Sequence, residues 1–140
     1  MTLTRLIYLS QAIPDLKYPD LKAIMEKSET NNGHVGITGL LCYGDGLFLQ
    51  ALEGDRRYVT ETFLRIAQDG RHHSAEVLHA AAIEVRAFPT WSMKLVQLGE
   101  YAAERVRQIH LKYSAGRQFN PGVMTTQQCL NFMVELDALT

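Results

Sequence analysis

An excess of charge is the first thing this sequence lacks: 14 basic side chains stand against 15 acidic ones, a formal net charge of -1. Such a chain has no broad cationic surface, which excludes attachment to nucleic acid or acidic lipid mainly by charge. Cysteine is scarce too, with Cys42 and Cys129 far apart in apolar surroundings. They read as buried free thiols rather than a disulfide framework or a zinc site. No apolar run approaches the roughly 20 residues of a membrane-spanning helix, so no membrane role is expected. Met1-Thr2-Leu3-Thr4-Arg5 does not open a secretory signal, and the expected location is the cytoplasm. A Walker loop is missing, and Gly33, Gly36 and Gly39 recur every third residue, which is not the dinucleotide-binding spacing. Repeats and low-complexity tracts are absent as well.

What is present is 140 residues, 46% of them hydrophobic, enough for one domain that buries about two thirds of its unfolded surface. Residues 3–10 read as a strand and 11–18, with Pro14 and Asp15, as a loop. Leu21, Ile24, Met25 and Ser28 then recur at helical intervals, with Pro19 at the start and Gly33 as the expected stop. Residues 37–43 and 47–53 flank Gly44-Asp45-Gly46 and describe a β-hairpin. Asp55 is the expected cap of a second helix carrying Val59, Phe63 and Ile66 and ending at Asp69-Gly70. Residues 75–85 and 91–98 are the last two expected strands, with Trp91, Met93 and Leu95 on one parity.

The order βαββαββ predicts an α+β, ferredoxin-like fold with both helices on one sheet face. Leu6 and Tyr8 alternate with Ile7 and Leu9, and Phe48 and Leu52 with Leu47 and Leu49, so both faces are apolar and the second needs a cover. Residues 99–140 supply one: Ala102, Val106, Ile109 and Tyr113 mark a helix. Leu130, Met133 and Leu136 mark another behind a Thr125 cap with Gln128. Residues 1–98 are then one unit and 99–140 a helical appendage packed on it.

Chemistry-bearing residues are few. His72 and His73 are adjacent, so their side chains diverge, and a solvated loop fits them better than a metal site. Cys42 inside an apolar strand reads as a packed thiol rather than a nucleophile. The odd features are polar groups in apolar strands. Gln50 shares parity with Phe48 and Leu52, so its amide is buried and needs partners. Taken singly, Gln50, Tyr8 and the helix-ending Asn31 and Asn32 are each a satisfied core or cap residue. Together they line one layer between sheet and helices, where a flat heteroaromatic ring with polar edge atoms would satisfy them all.

Leu6-Ile7-Tyr8-Leu9-Ser10, Asn31-Asn32 with Gly36-Ile37-Thr38-Gly39-Leu40-Leu41, Phe48-Leu49-Gln50-Ala51-Leu52-Glu53-Gly54 and Trp91-Ser92-Met93 occur in that order. In these elements the chain resembles the BLUF family of flavin-using blue-light sensors, and especially its short cyanobacterial phototaxis-type (PixD-like) members. The resemblance covers residues 1 to 98, and the tail is similar to that of the short members. It implies FAD, or FMN through the same ring contacts, held between the two helices. It implies Tyr8 as electron and proton donor, Gln50 as the bridge to the ring, and Met93 or Trp91 as the way out to the tail. Asn32 and Asn31 would bind the ring edge, Ile24, Phe48 and Ile66 pack on it, and Arg65, Asp69 and Arg71 reach its polar chain or carbonyl. The implied output is a homo-oligomer that engages a response-regulator-like partner differently in dark and light, without enzyme activity. The alternative expectation is a small flavin-dependent oxidoreductase or flavin-binding regulatory domain, for which Tyr8 and Gln50 merely position the ring.

Overall fold

The computed structural model describes residues 1–99, 102–114, 116 and 118–139. Five strands form one sheet: β1 (Leu3–Ala12), β2 (Thr38–Gly44), β3 (Leu47–Asp55), β4 (His72–Ala82) and β5 (Leu95–Gln97), in the spatial order β4-β1-β3-β2-β5. Strands β1, β3, β4 and β2 pair antiparallel, and β5 lies parallel to β2. Helices α1 (Tyr18–His34) and α2 (Arg56–Ala67) make the crossovers, which gives the α+β, ferredoxin-like arrangement.

Strand parity divides the interior in two. Leu6, Tyr8, Phe48 and Leu52 face α1 and α2 and pack with Leu21, Met25, Val59 and Met93. Ile7, Leu40, Cys42, Leu49 and Ala51 face the other way, onto Phe119, Phe132, Met133 and Leu136 of the tail. The tail includes α3 (Glu104–Tyr113), a 3-10 turn at Pro121–Val123, and α4 (Thr126–Asp137). Of the expected appendage 99–140, residues 100, 101, 115, 117 and 140 lie outside the described residues. Thr125 accepts from the Gln128 backbone and Gln128 returns the bond, the reciprocal cap that starts α4. Ala102 is buried but precedes α3. Both cysteines are buried and free, and burial pushes the Cys42 thiol well above its ordinary range and that of Cys129 to about 11. Thiolate chemistry is disfavoured at both.

Several expected boundaries differ. Helix α1 runs past Gly33, and Gly36, at φ +70, makes the stop, with Ile37 N–H donating to the Asn32 carbonyl at 3.0 Å. This six-to-one closure needs a left-handed residue, which glycine adopts without a Cβ penalty. Asp55 stands at the cap position of α2, but its carboxylate accepts from Thr2 N instead. Strand β4 is His72–Ala82 rather than 75–85, so His72 belongs to a strand and not to a solvated loop. The expected strand 91–98 is ordered as β only at Leu95–Gln97. Gly39 N–H bonds Trp91 O, whereas Leu41 N–H bonds Lys94 O. Two steps along β2 thus meet three along 91–94, a bulge that breaks the shared parity of Trp91 and Met93.

Candidate flavin site

Register places the central pair. Tyr8 on β1 lies directly opposite Gln50 on β3, the middle strand, and Leu41 on β2 flanks Gln50 from the other side. The Tyr8 hydroxyl donates to Gln50 Oε1 at 2.5 Å, and Gln50 Nε2 donates to Met93 Sδ at 3.4 Å. Gln50 is 2% exposed and Met93 1%, so this polar chain runs through apolar packing. Thioether sulfur is a weak acceptor, which leaves the Gln50 amide less well satisfied than a carbonyl partner would. Tyr8 packs on Phe63 with ring centroids 5.3 Å apart. Burial, and secondarily Asp69, pushes its phenol well above the usual range, so it stays protonated.

A cleft opens beside this chain between α1, α2 and the sheet. Every side chain expected to hold a cofactor lines it: Tyr8, Ile24, Asn31, Asn32, Phe48, Gln50, Arg65, Ile66, Asp69 and Arg71. Trp91 does not line it and is 48% exposed, whereas Met93 reaches Gln50. Asn32 is oriented by the α1 stop and by donation from Nδ2 to Ser92 O at 3.1 Å. Asp69 grips Arg71 through Nε and Nη2 at 2.9 and 2.5 Å, which holds the Asp69 carboxyl down at about 2.

Sequence reasoning missed Lys27, Ser28, Leu41, Thr62 and His72, which also line the cleft. Helical spacing carries the signal for three: Lys27 and Ser28 continue the face of Ile24 and Asn31, and Thr62 that of Arg65, Ile66 and Asp69. His72 carries no such signal, because its place depends on β4 starting early. Its Nε2 donates to the Ile66 carbonyl at 2.6 Å and its Nδ1 meets Ser10 Oγ at 2.7 Å, which ties the end of α2 to β1.

The donor set fits a flavin. The walls of Ile24, Leu41, Phe48 and Ile66 suit a flat ring, and amides stand at its edges. At the mouth Lys27, Arg65 and Arg71 outnumber Asp69, which favours an anionic chain. Residues 3–94 match the family model described as sensors of blue light using FAD. The chain belongs to the BLUF family.

BLUF domains are flavin-binding photosensors in light-regulated signalling, and this chain is one of them. Over 93 residues, 66% of the chain, it is 42% identical to photoactivated adenylate cyclase subunit beta of Euglena longa, aligning with 11% of that protein. Over 86 residues, 61% of the chain, it is 37% identical to subunit alpha of Euglena gracilis and aligns with 8% of it. The chain therefore spans about a tenth of the length of the curated relatives it matches. Among solved structures, BlsA in its photo-activated state has a TM-score of 0.87 at 31% identity over 99% of this chain and 96% of that one. BlrB in its dark state has a TM-score of 0.67 at 35% identity over 69% and 73%. The likeness to BlsA extends through the tail helices. No helix among the described residues is long and apolar enough to cross a membrane.

Proposed function

We propose that this BLUF protein registers blue light through Tyr8, Gln50 and Met93 and reports it by changing its association with a signalling partner. The observation that carries the reading is the buried chain from the Tyr8 hydroxyl through the Gln50 amide to the Met93 sulfur, set against the cleft wall. Bound flavin supplies a ring that accepts an electron once excited by blue light. Tyr8 would be the donor: its oxidised phenol would pass its proton along the 2.5 Å bond to Gln50 Oε1, and electron and proton would both return to Tyr8 on recombination, so that no net reduction of the ring results. Gln50 has a donor on one side and an acceptor on the other, so rotation or tautomerisation exchanges what Tyr8 and Met93 receive. Met93, not Trp91, carries the change onward. Asn32, with Asn31, holds the ring edge, Ile24, Phe48 and Ile66 pack on its faces, and Arg65, Asp69 and Arg71 meet the polar chain of FAD or FMN.

The output follows the short phototaxis-type members. A homo-oligomer in the cytoplasm binds a response-regulator-like protein in one light state and releases it in the other. Residues 1–98 sense and residues 99–140 present the changing surface. The test is the absorption spectrum of the flavin-loaded protein before and during blue light. A reversible red shift without flavin reduction is expected, and Gln50→Leu and Tyr8→Phe should keep flavin and lose that shift. A flavin-loaded variant with an unchanged photocycle refutes the relay. Light-dependent sizing of the protein alone and with a response-regulator-like partner reads the association.

A further inference from the structure

The bulged segment 91–94 joins the two interiors of the molecule. Met93 points to the cleft side, and Lys94, one residue on, reaches the tail side, as alternation of an extended chain requires. The Lys94 ammonium lies 2.7 Å from the main-chain carbonyl of Asp137 and 3.4 Å from its Oδ1. Asp137 is the last residue of α4. A helix ends with carbonyls that have no partner within it and with the negative end of its dipole, and a cation there meets both. The Lys94 side chain is only 10% exposed, so water and salt weaken this tie little. Its own carbonyl accepts from Leu41 N at 2.8 Å, and Leu41 is the cross-strand neighbour of Gln50.

We infer that Lys94 is the positioning residue that passes the state of Gln50 to α4. The contact of Gln50 with Met93 holds the bulge in one path, and that path sets the ammonium on the Asp137 carbonyl. When the contact is lost the bulge relaxes and the last turn of α4 is released. The inference rests on the Gln50 rearrangement proposed above and adds the residue that carries it across the sheet.

The test uses the flavin-loaded full chain, with three readouts on one sample: the light-induced red shift, its dark recovery rate, and amide exchange across 126–137 in dark and light. Wild type should show the shift together with faster exchange in the last turn of α4 under light. Lys94→Met should keep the shift, exchange that turn in the dark as fast as lit wild type, and lose the light-dark difference. Lys94→Arg should behave as wild type, and so should Asp137→Ala, because the nearer acceptor is main chain. Dark recovery re-forms the tie of Lys94 to Asp137, so Lys94→Met should also alter the recovery rate. Tyr113→Phe, which loosens α3 from α4 by removing the hydroxyl bonded to Glu135, should not. A light-dark difference that survives in Lys94→Met, or an equal loss in Lys94→Arg, overturns the inference. A red shift in wild type without any change in α4 overturns it while leaving the sensor reading intact, whereas no red shift in wild type overturns both.

Discussion

Glu53→Gln is the substitution whose cost the structure defines best. The carboxylate is fully buried, 0% exposed, and has three donors: Arg5 Nε at 2.8 Å, Ala87 N at 3.0 Å and Phe88 N at 2.7 Å. It pins the segment after β4 to the central sheet, a few residues before Met93. An amide of nearly the same volume turns an N–H2 toward donors and leaves the Arg5 charge buried without its counter-ion. Breaking a buried pair from one side costs about 3–5 kcal/mol, a large part of the roughly 5–15 kcal/mol that holds a typical domain together. At roughly 3 °C per kcal/mol for a chain of this size, the expected drop in Tm is about 10 °C. Urea unfolding of flavin-loaded wild type, Glu53→Gln, Arg5→Met and the double variant measures it, with amide exchange at Ala87 and Phe88 as the local reporter. The double variant should cost less than the two singles added, by about 2 kcal/mol, because it removes both charges together. A loss under about 1 kcal/mol for Glu53→Gln, or strict additivity, would refute the account of Glu53 as a charged anchor.

Three further outcomes follow from geometry and titration. Gly39→Ala sets a Cβ 2.0 Å from the Ala51 carbonyl oxygen and 3.1 Å from Met93 Cε; the strands must part at a cost of about 3 kcal/mol or more, whereas Gly70→Ala, with open space around it, should be near neutral by the same unfolding assay. The Asp69 carboxyl sits at about 2 against an ordinary 3.8 because Arg71 donates to it, so its grip on the cleft mouth is complete above pH 3.8 and lost as pH falls through about 2; acid titration of flavin retention should show wild type and Asp69→Asn converging in that window, with the gap above it shrinking in high salt. Tyr8 is pushed upward by burial first and Asp69 second, so the dark spectrum and the photocycle should be unchanged from neutral pH to about pH 10, the ordinary phenol value.

Alternation and turn chemistry make the centre of the sheet legible from the order of residues. Tyr8, Phe48, Gln50 and Leu52 share a face because period two is rigid, and Gly44-Asp45-Gly46 fixes the hairpin register that brings Gln50 beside Leu41. Ile24 and Ile66 fall on periodic faces of α1 and α2, but their place at the ring, like that of Arg65, is implied by the family resemblance and not by spacing. The edges are less legible. The bulge in 91–94 adds one residue against β2, and no local pattern in Trp91-Ser92-Met93-Lys94 announces it; the decision between Trp91 and Met93 comes from pairing with Gly39 and Leu41. The stop of α1 falls at Gly36 rather than the expected Gly33 because both are glycines, and only the closure onto the Asn32 carbonyl selects between them. His72 is hidden in the sequence because its partners, Ser10 and the Ile66 carbonyl, come from two other elements.

The separation of the interior by the sheet has a bearing on how such a protein diversifies. On the tail side Phe119, Phe132, Met133 and Leu136 meet Leu40, Leu49 and Ala51 through shape and volume, which tolerate exchange among apolar side chains provided the total is kept. On the cleft side Tyr8, Gln50 and Asn32 are held by atom-specific bonds that no substitute of equal volume reproduces. Apart from polar ties such as Lys94 to Asp137 and Phe119 N to Asp45, the tail side therefore tolerates exchange of its apolar side chains more readily than the cleft side. The same light-detecting machinery can serve unrelated addressees by rewriting only the far side of a single sheet.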